Sequence, residues 1–354
     1  MGNVKRFAAV NTKAKALEGK LLKNKDYIEL LNKKNEKEVL EYLKENTSYR
    51  EILKDVDPDK IQSDKIGLLL LRNLVAHYEK FIHFFTAEYK KLFRIFLIRF
   101  EISDIKLFLK KLMGQGSLAD IKDNFIISER NTHLDYERML HSKSLEEFIE
   151  NINDEAYRKL LKPYLEEEPE RRLFYMEMAL DRLYFKKIID QINHLSKEDQ
   201  KVFGEFFGRQ IDLMNLQWIY RGLKLYGLSP EELINYSLPG GLEFRYERLR
   251  SVCYSKSDEE LIEKISHSSY GFLVDHQGDS REIYMERRIQ RYMYFYLLSH
   301  RKGNQMTLIQ SISYLHLLEY EMRDIISILE AVRYGLKPED AEHFLIRKIY
   351  KEGA

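Results

Sequence analysis

The chain has 354 residues, 44% of them hydrophobic and 32% charged, a balance that allows a sizeable core beneath a charged surface. Lys and Arg total 58 against 57 Asp and Glu, so the charge gives no sign of a general nucleic-acid or anionic-membrane surface. A single cysteine, Cys253, excludes an internal disulfide framework and a multi-cysteine zinc site, and it fits a reducing compartment.

Neither the N-terminus nor any apolar run indicates a targeting or membrane segment. The stretch MGNVKRFAAVNTKAKALEGKLL (1–22) lacks the apolar core and the cleavage site of a signal peptide, and Arg6 stands where a myristoylation motif has Ser or Thr. The most apolar runs, at 66–71 and 92–100, are far shorter than the roughly 18–20 residues needed to span a bilayer. We therefore expect a soluble chain, for which peripheral attachment to a membrane stays open.

Taken in chain order, the segments predict helices almost throughout. Leu, Glu, Lys, Arg and Ile dominate, only 6 prolines occur, and no long stretch alternates with period two. The helices are predicted to break at turn-like clusters at 55–64, 113–120, 164–172, 237–241 and 275–282. The predicted fold class is therefore all-α.

Within this helical pattern, one segment occurs three times. The copies, which align without gaps at separations of 111 and 109 residues, are FEISDIKLFLKKL (100–112), IDLMNLQWIYRGL (211–223) and YEMRDIISILEAV (320–332). The alignment superimposes two polar positions, occupied by Glu101 and Asp104, by Asp212 and Asn215, and by Glu321 and Asp324. A second landmark precedes each copy, at Tyr49, Tyr157 and Tyr270. Two landmarks in register three times indicate internal homology.

The repetition predicts three homologous helical units of about 110 residues each. We place them at 1–121, 122–238 and 239–354. The matching segments SLEEFIE (144–150) and SDEELIE (257–263), echoed by EKEVLEY (36–42), support this division. Because the period exceeds that of ordinary solenoid repeats, it indicates triplicated subdomains with pseudo-threefold symmetry.

Each copy carries an apolar stripe at i, i+3, i+7 and i+10, which predicts one buried face per helix. The stripes consist of Ile102, Ile105, Leu109 and Leu112, of Leu213, Leu216, Tyr220 and Leu223, and of Met322, Ile325, Leu329 and Val332. The polar pair precedes the stripe by one residue, so it lies roughly 100° around the helix from it. We expect the pairs to flank the buried face near the beginning of each helix.

Three interpretations of the polar pairs compete. Acidic residues near a helix N-terminus complement the helix dipole and cap free N–H groups, each contributing about 0.3–1 kcal/mol. Alternatively, the pairs line a polar interior where three units meet. A third interpretation makes them metal ligands or a catalytic carboxylate pair, against which stand Asn215 in one copy and the lack of a histidine at ligand spacing. The residues favour capping and hydrogen bonding between helices.

No catalytic, cofactor-binding or metal-binding constellation is found in the sequence. It contains neither a G-x-x-x-x-G-K-[ST] phosphate loop nor an H-E-x-x-H zinc motif. Cys253 has no evident activating partner and is predicted to be a buried structural thiol. Glu177 and Asp181, spaced at i and i+4, are expected to join subdomains through Arg182 and Arg291. Basic residues are interleaved with acidic ones, which does not support a nucleic-acid interface.

Four segments, spread over the length of the chain, carry a resemblance to a known family. They are FAAVNTKAKALEGKLL (7–22), NTSY (46–49), EMALDRLYF (177–185) and DLMNL (212–216) within the repeated helix. Together with the three-unit order, they resemble the C subunit of V-type and archaeal A-type ATPases, called the d subunit in the eukaryotic vacuolar enzyme. Asp104 and Asp324 depart from the family pattern, which often shows Asn there, as at Asn215.

The resemblance implies a funnel of three helical subdomains around a pseudo-threefold axis. It implies a non-catalytic rotor subunit that seats the central shaft, rests on the membrane ring of proteolipid subunits and transmits torque for proton or sodium transport. It also implies no nucleotide, cofactor, metal or nucleic acid of its own, and a cytoplasmic location peripheral to the membrane. Under it, the funnel interior is framed, or the subdomain joins are braced, by Glu101, Asp104, Asp212, Asn215, Glu321 and Asp324.

Two other function classes stay open. One is a generic helical scaffold or adaptor unrelated to rotary ATPases, and the other is a helical enzyme whose site is assembled from the three acidic helices. Shaft and ring subunits in a pull-down distinguish the motor subunit from the scaffold. A melting shift with divalent metals tests the enzyme, because a ligand stabilises the state that binds it.

Overall fold

A computed structural model describes residues 2–60, 63–114, 116–127, 132–274, 281–302 and 306–349 of the chain. Over these residues the fold consists of helices and turns without any β-strand, which confirms the predicted all-α class. Within the same ranges, no helix is long and apolar enough to cross a membrane.

Seventeen α-helices lie in the described ranges. The first five are α1 (Gly2–Glu18), α2 (Asn24–Leu31), α3 (Glu36–Asn46), α4 (Arg50–Leu53) and α5 (Ser63–Ile82). The next nine are α6 (Ala87–Met113), α7 (Tyr136–Leu140), α8 (Leu145–Asn151), α9 (Glu155–Leu161), α10 (Pro169–Ile192), α11 (Lys197–Leu225), α12 (Pro230–Tyr236), α13 (Tyr246–Cys253) and α14 (Asp258–Ser266). The last three are α15 (Arg281–His300), α16 (Ile309–Arg333) and α17 (Pro338–Glu342).

The helices form two compact units. The first unit combines both ends of the chain, residues 1–85 and 271–354, and contains α1–α5 and α15–α17. The second unit is continuous from Thr86 to Tyr270 and contains α6–α14. The three-unit boundaries expected from the sequence stay a prediction.

α16 forms the centre of the first unit. Residues Thr307 to Met322 are all buried, so the helix has no solvent-exposed face over most of its N-terminal half. It packs against α1, α2, α3, α5, α15 and α17. A helix that is apolar or satisfied on every side belongs in the interior of a large domain. The N-terminal helices therefore obtain their core from a helix near the other end of the chain.

The second unit is built around α6 and α10, which pack along one another. Part of its core is an aromatic cluster in which Phe108 of α6 stacks on Phe125 and Phe148, with ring centroids 5.0 and 5.1 Å apart. Offset contacts between aromatic rings add to the free energy gained by burying their area. The cluster thus holds α6 against the loop and the helix, α8, that follow it.

Most predicted helix breaks coincide with helix ends. α4 ends and α5 begins around 55–64, α6 ends at 113–120, α10 begins within 164–172, and α12 and α13 are separated by a loop that includes 237–241. The predicted break at 275–282 lies largely outside the described residues. Turn-forming residues therefore predict most of the helix ends in the described part of the chain.

The repeated apolar stripes are buried as predicted. In each of α6, α11 and α16 the first three stripe residues are buried and the fourth is half-buried. The fourth residues are Leu112, Leu223 and Val332, each within two residues of the end of its helix. Burial decreases there because the helix ends emerge towards solvent.

The polar pairs lie in the middle of these helices, so the expectation that they stand near the beginning is wrong. Glu101 comes 14 residues after the first residue of α6, Asp212 comes 15 after that of α11, and Glu321 comes 12 after that of α16. Free N–H groups occur only in the first turn of a helix. Capping of their own helices is therefore excluded, and α11 is instead capped by Ser196.

Three short helices, α3, α8 and α14, begin with one shared capping arrangement. Their N-cap residues, whose side chains accept from the backbone N–H three residues later, are Asn35, Ser144 and Ser257. In each case that third residue is a glutamate, which accepts in return from the residue before the cap at 3.0, 2.8 and 2.8 Å. The three matching sequence segments thus share a local structure, a variant of the capping box.

Candidate functional site

All six polar positions of the repeated helices are buried. Their exposed fractions are 5% for Glu101, 1% for Asp104, 0% for Asp212 and Asn215, 4% for Glu321 and 1% for Asp324. Burying a carboxylate is costly unless hydrogen bonds satisfy its oxygens. Each pair is indeed surrounded by donors. We call a pair and its donors a clasp, with clasp 1 on α6, clasp 2 on α11 and clasp 3 on α16.

Clasp 1 joins the middle of α6 to the chain that follows it. Asp104 accepts hydrogen bonds from three groups, the N–H of Ile126 (2.8 Å), the N–H of Ile127 (3.0 Å) and the hydroxyl of Tyr136 (3.0 Å). Glu101 accepts from two hydroxyls, those of Thr132 and of Tyr157, the latter at 2.7 Å. A loop and two later tyrosines are thereby fixed to the helix.

Clasp 2 holds a loop against α11. Asp212 accepts from four groups, the N–H groups of Leu242 (3.1 Å), Glu243 (2.7 Å) and Phe244 (3.0 Å) and the hydroxyl of Tyr270 (3.0 Å). Asn215 accepts from the N–H of Leu238 at 2.8 Å and donates to the carbonyl of the same residue at 2.9 Å. An amide is needed at position 215 because a carboxylate cannot donate to that carbonyl.

Clasp 3 joins α16 to both ends of the chain. Glu321 accepts from the N–H of Leu22 at 2.6 Å and from the hydroxyl of Tyr49 at 2.8 Å. Asp324 accepts from three groups, the N–H of Ile346 (2.6 Å), the N–H of Arg347 (3.1 Å) and the guanidinium of Arg287 (3.4 Å). One carboxyl group therefore binds the N-terminal segment and the other binds the C-terminal one.

The three clasps follow one plan, in which the two landmarks of the sequence meet. The first position of each pair accepts from a landmark tyrosine, Tyr157 in clasp 1, Tyr270 in clasp 2 and Tyr49 in clasp 3. The second position binds backbone groups 22 or 23 residues further along the chain in all three. In every clasp, the tyrosine comes from a different predicted unit than the acidic residue it contacts.

Burial governs the electrostatics of the clasps. It raises the pKa of Glu321 to about 8 and that of Asp324 to about 6, against the opposing effect of their hydrogen-bond donors. It also raises the pKa of Asp212. The pKa of the Tyr49 hydroxyl is raised by burial and by the neighbouring Glu321, so this hydroxyl stays protonated and able to donate.

The arrangement is suited to holding backbone segments in place. Both oxygens of each clasp carboxyl group accept at least one hydrogen bond from within the chain. Buried networks of this kind rigidify a fold when every member is satisfied. Among the described residues, no group of three or more His, Cys, Asp or Glu side chains is placed to hold a metal ion.

Glu177 and Asp181 contact lysines of α6, and not the arginines expected from the sequence. The ion pairs measure 3.1 Å from Glu177 to Lys110 and 2.6 Å from Asp181 to Lys106. Both pairs of residues are spaced at i and i+4, so the packed helices α6 and α10 match them in register. The expected partners, which donate to backbone carbonyl groups instead, are Arg182 and Arg291.

Cys253 is fully buried, as predicted. Burial raises the pKa of its thiol to about 12. A thiol that stays protonated at neutral pH is a poor nucleophile. The residue therefore contributes to the packing of α13.

The loops that close the clasps are the part of the candidate site that the sequence did not reveal. In clasp 2, a Cβ on Gly241 would lie 2.1 Å from Oδ1 of Asp212, so the loop passes the carboxylate too closely for any side chain. The SLPGG cluster signals a turn at this place but gives no indication of its partner. Only the constant offset of 22 or 23 residues from the second pair position, visible once the three copies are compared, points to these loops.

Known proteins resemble the chain over most of its length. The family described as ATP synthase (C/AC39) subunit matches residues 10–344. The chain is 24% identical to the C subunit of the A-type ATP synthase of Methanosarcina mazei over 264 residues, 75% of this chain and 71% of that protein. It is 22% identical to the C subunit of the A-type ATP synthase of Archaeoglobus fulgidus over 348 residues, 98% of this chain and 97% of that protein. The match spans both compact units.

Proposed function

The chain belongs to the ATP synthase (C/AC39) subunit family, and we propose that it couples the central shaft of such a motor to the membrane ring of proteolipid subunits. Membership makes it a non-catalytic subunit of an A/V-type ATP synthase and not an enzyme. In the proposed role it rotates with the shaft and transmits torque for the transport of protons or sodium ions. Its partners are the shaft subunits and the ring.

The observation that carries this proposal is the bracing of three long helices at mid-length. α6, α11 and α16 have 27, 29 and 25 residues, and each is tied near its middle to distant backbone by a clasp. A part that transmits torque must resist deformation. Satisfied buried networks and packed helices open rarely, whereas solvent-exposed loops open easily. The clasps supply stiffness of the kind that a coupling subunit requires.

Of the two roles expected for the six polar residues, the hydrogen bonds support bracing. A residue that lines a wide funnel is exposed to solvent, whereas these residues are at most 5% exposed. Their oxygens are engaged by donors of the same chain. We therefore propose that Glu101, Asp104, Asp212, Asn215, Glu321 and Asp324 act on the partners only indirectly, by keeping the subunit rigid.

The proposed location is at the membrane surface on the cytoplasmic side, held there by the complex. The chain reaches the membrane through its contacts with the proteolipid ring. Neither a nucleotide nor a nucleic acid is bound by the chain in this proposal.

Purification of the tagged chain from membranes tests its place in the complex. We expect shaft and proteolipid-ring subunits to copurify with it. A second arm changes Leu213→Ala together with Leu216→Ala, both fully buried in α11, at a cost of about 2–5 kcal/mol for each. The softened complex is expected to hydrolyse ATP with less ion transport per ATP. Leu225→Ala, in the same helix but 56% exposed, is the control and should leave coupling unchanged.

Recovery of the intact chain without shaft or ring subunits would show the proposal to be false and would favour a general helical scaffold. Full coupling in a folded, assembled double variant would contradict the stiffness argument alone. The two arms therefore test the partners and the mechanism separately.

A further inference from the structure

Clasp 3 differs from the other two in the length of chain it closes. Tyr157 and Glu101 are 56 residues apart, and Tyr270 and Asp212 are 58 apart. Tyr49 and Glu321 are 272 residues apart. Clasp 3 is thus a joint between the N-terminal segment and a distant helix, and it opens if the N-terminal segment alone moves away.

The N-terminal segment from 7 to 53, called here the N-terminal strap, is attached to the rest of the first unit by several polar contacts. Besides the two bonds to Glu321, they include Arg347 to the Leu22 carbonyl (2.8 Å), Arg301 to Glu18 (2.6 Å) and the Asn11 amide to the Thr307 carbonyl (3.3 Å). Glu321 is the only one of these partners that holds the strap at two points 27 residues apart, Leu22 and Tyr49.

A cavity lies beside this joint. It has a volume of about 620 Å³ and is bounded by Leu22 and Tyr27 of the strap, by Glu321 and Asp324 of α16, and by Arg347. The cavity is open to solvent and lined in part by charged side chains such as Lys23 and Lys348, so water can enter it. Water next to the joint can accept the released proton. It can also solvate the ionised carboxylate of Glu321 once the strap moves.

We propose that clasp 3 is a proton-controlled latch, in which a protonated Glu321 holds the N-terminal strap on α16 and an ionised Glu321 weakens that attachment. In the neutral state Glu321 keeps both contacts of the structure, accepting from the N–H of Leu22 and from the hydroxyl of Tyr49. In the charged state the same contacts leave a full charge in a fully buried position, which favours exposure to water.

The surroundings of Glu321 support a proton latch near neutral pH. Burial raises its pKa to about 8, while Tyr49, the Leu22 N–H and Arg347 lower it. The other acidic and phenolic groups around it are Glu18, Tyr27, Glu51, Tyr294, Tyr314, Tyr320 and Asp324. The basic groups are Lys20, Lys23, His77, Lys80, Arg301, Arg347 and Lys348.

Two of these neighbours also titrate, but mostly below pH 6.5, the lowest pH of the test described below. The pKa of Asp324 is raised by burial to about 6, and burial lowers the pKa of His77 to about 4. Asp324 is therefore largely ionised, and His77 neutral, above pH 6.5. Since the pKa of Glu321 is higher in the closed state than in the open one, closure is favoured at low pH and weakens as the pH rises towards about 8.

Hydrogen exchange of the full-length chain tests the latch. For a carboxyl group with a pKa of about 8 when closed and about 4.5 when open, the open fraction rises roughly 15-fold from pH 6.5 to 8 and only about twofold from pH 8 to 9. We expect protection factors of α2 and α3, corrected for the intrinsic exchange rate, to fall by these amounts. The amides of α13 and α14, in the second unit, should keep theirs.

Two substitutions identify the group responsible. Glu321→Gln, which mimics the neutral acid, should remove the pH dependence of α2 and α3. Glu101→Gln, the same change in clasp 1, should leave it intact. If Glu321→Gln does not fold, Tyr49→Phe serves instead. Loss of that hydroxyl raises the pKa of Glu321 further, so the fall in protection should extend above pH 8.

Three results would overturn the latch. They are flat protection factors in the unchanged protein, an unchanged pH dependence in Glu321→Gln, and an equal loss of protection in α13 and α14, which would mean global unfolding. The latch concerns the first unit alone, and these measurements are made on the isolated chain. Their outcome is therefore independent of the proposed role in a rotary motor.

Discussion

At residue scale, clasp 2 depends on a glycine as much as on its carboxylate. A Cβ at position 241 would lie 2.1 Å from Oδ1 of Asp212 and 2.9 Å from the carbonyl oxygen of Phe244. Real Cβ atoms do not approach other atoms so closely. The backbone reaches Asp212 with three successive N–H groups because residue 241 has no side chain.

Gly241→Ala is therefore expected to destabilise the second unit. The loop must withdraw from Asp212 and leave buried groups unpaired, at about 1–3 kcal/mol for each. Gly204→Ala, within α11, is the matched control. A Cβ there meets no atom within 4 Å, so the change should stabilise the helix by about 0.5–1 kcal/mol. Thermal melts should shift in opposite directions, and a neutral Gly241→Ala would disprove the close contact.

The identity of the clasp residues was predictable at this scale, but their surroundings were not. Aligning the three copies singled out Glu101, Asp212 and Glu321, and all three prove to be buried and hydrogen-bonded. The donors are mostly backbone N–H groups, which every residue except proline possesses. A sequence therefore carries no mark of which loop supplies them. The amide of Asn215 indicates a partner that both donates and accepts, but not which loop supplies it.

At the scale of elements, α6 and α10 are connected by two lysine–carboxylate pairs in addition to their apolar contact. The Lys106–Asp181 pair has side chains 20% and 28% exposed, which partly shields it from solvent. The Lys159–Glu155 pair has the same separation of 2.6 Å, with side chains 76% and 68% exposed. The Lys106–Asp181 and Lys159–Glu155 pairs thus share one separation but differ in burial, and only the first joins two helices.

A double-mutant cycle on each pair should show what a partly buried contact between two helices contributes beyond an exposed contact of the same separation. We expect a coupling energy of about 1 kcal/mol between Lys106→Ala and Asp181→Ala, and about 0–0.5 kcal/mol between Lys159→Ala and Glu155→Ala. The measurement is chemical denaturation at low ionic strength. Equal coupling in the two cycles would mean that the α6–α10 pair is screened as fully as an exposed one.

Helices and their breaks were predictable from the sequence, whereas the starts of the repeated helices were not. An acidic residue before an apolar stripe is typical of a first helical turn, because the helix dipole favours it there. In this chain the helix extends 12–15 residues further upstream, through residues that pack on neighbouring helices. The start of each helix depends on tertiary packing, which the sequence of a single segment does not show. The cap at Ser196, with Asp199 three residues later, was the available signal for α11.

At the scale of the whole molecule, the two units differ in how the chain builds them. The second unit uses one continuous stretch, from Thr86 to Tyr270, and both of its clasps close within it. The first unit needs both ends of the chain, since α1, α2, α3 and α5 pack against a helix that lies beyond residue 308. Only the second unit takes its whole core from one continuous stretch of the chain.

A fragment of residues 86–270 is therefore expected to fold on its own, and a fragment of residues 1–85 is not. Circular dichroism should show a helical, cooperatively melting second unit. The N-terminal fragment should show little helix, because amphipathic helices without a packing partner are marginal in water. Adding a separate fragment of residues 271–354 should restore its helicity. A cooperative melt of residues 1–85 alone would contradict this division of the chain.

The period of the repeat was predictable, but the position of the structural boundaries within the period was not. An internal repeat of about 110 residues fits equally well wherever the first boundary is placed. In the structure, Tyr157 and Tyr270 each contact the acidic helix that precedes them, and Tyr49 contacts the last one. The contacts thus link each predicted unit to its neighbour. Long-range closure of this kind leaves no local pattern in the sequence.

The separation between Tyr49 and Glu321 has a consequence for biosynthesis. These residues are 272 positions apart, so at about 5–20 residues per second a ribosome adds Glu321 roughly 15–55 seconds after Tyr49. Throughout this interval the nascent N-terminal helices have no α16 to cover their apolar faces, while residues 86–270 can already complete their core. A long-lived exposed apolar surface on a growing chain is a substrate for chaperones. Residues 1–85 are thus translated before the second unit but reach their native environment after it.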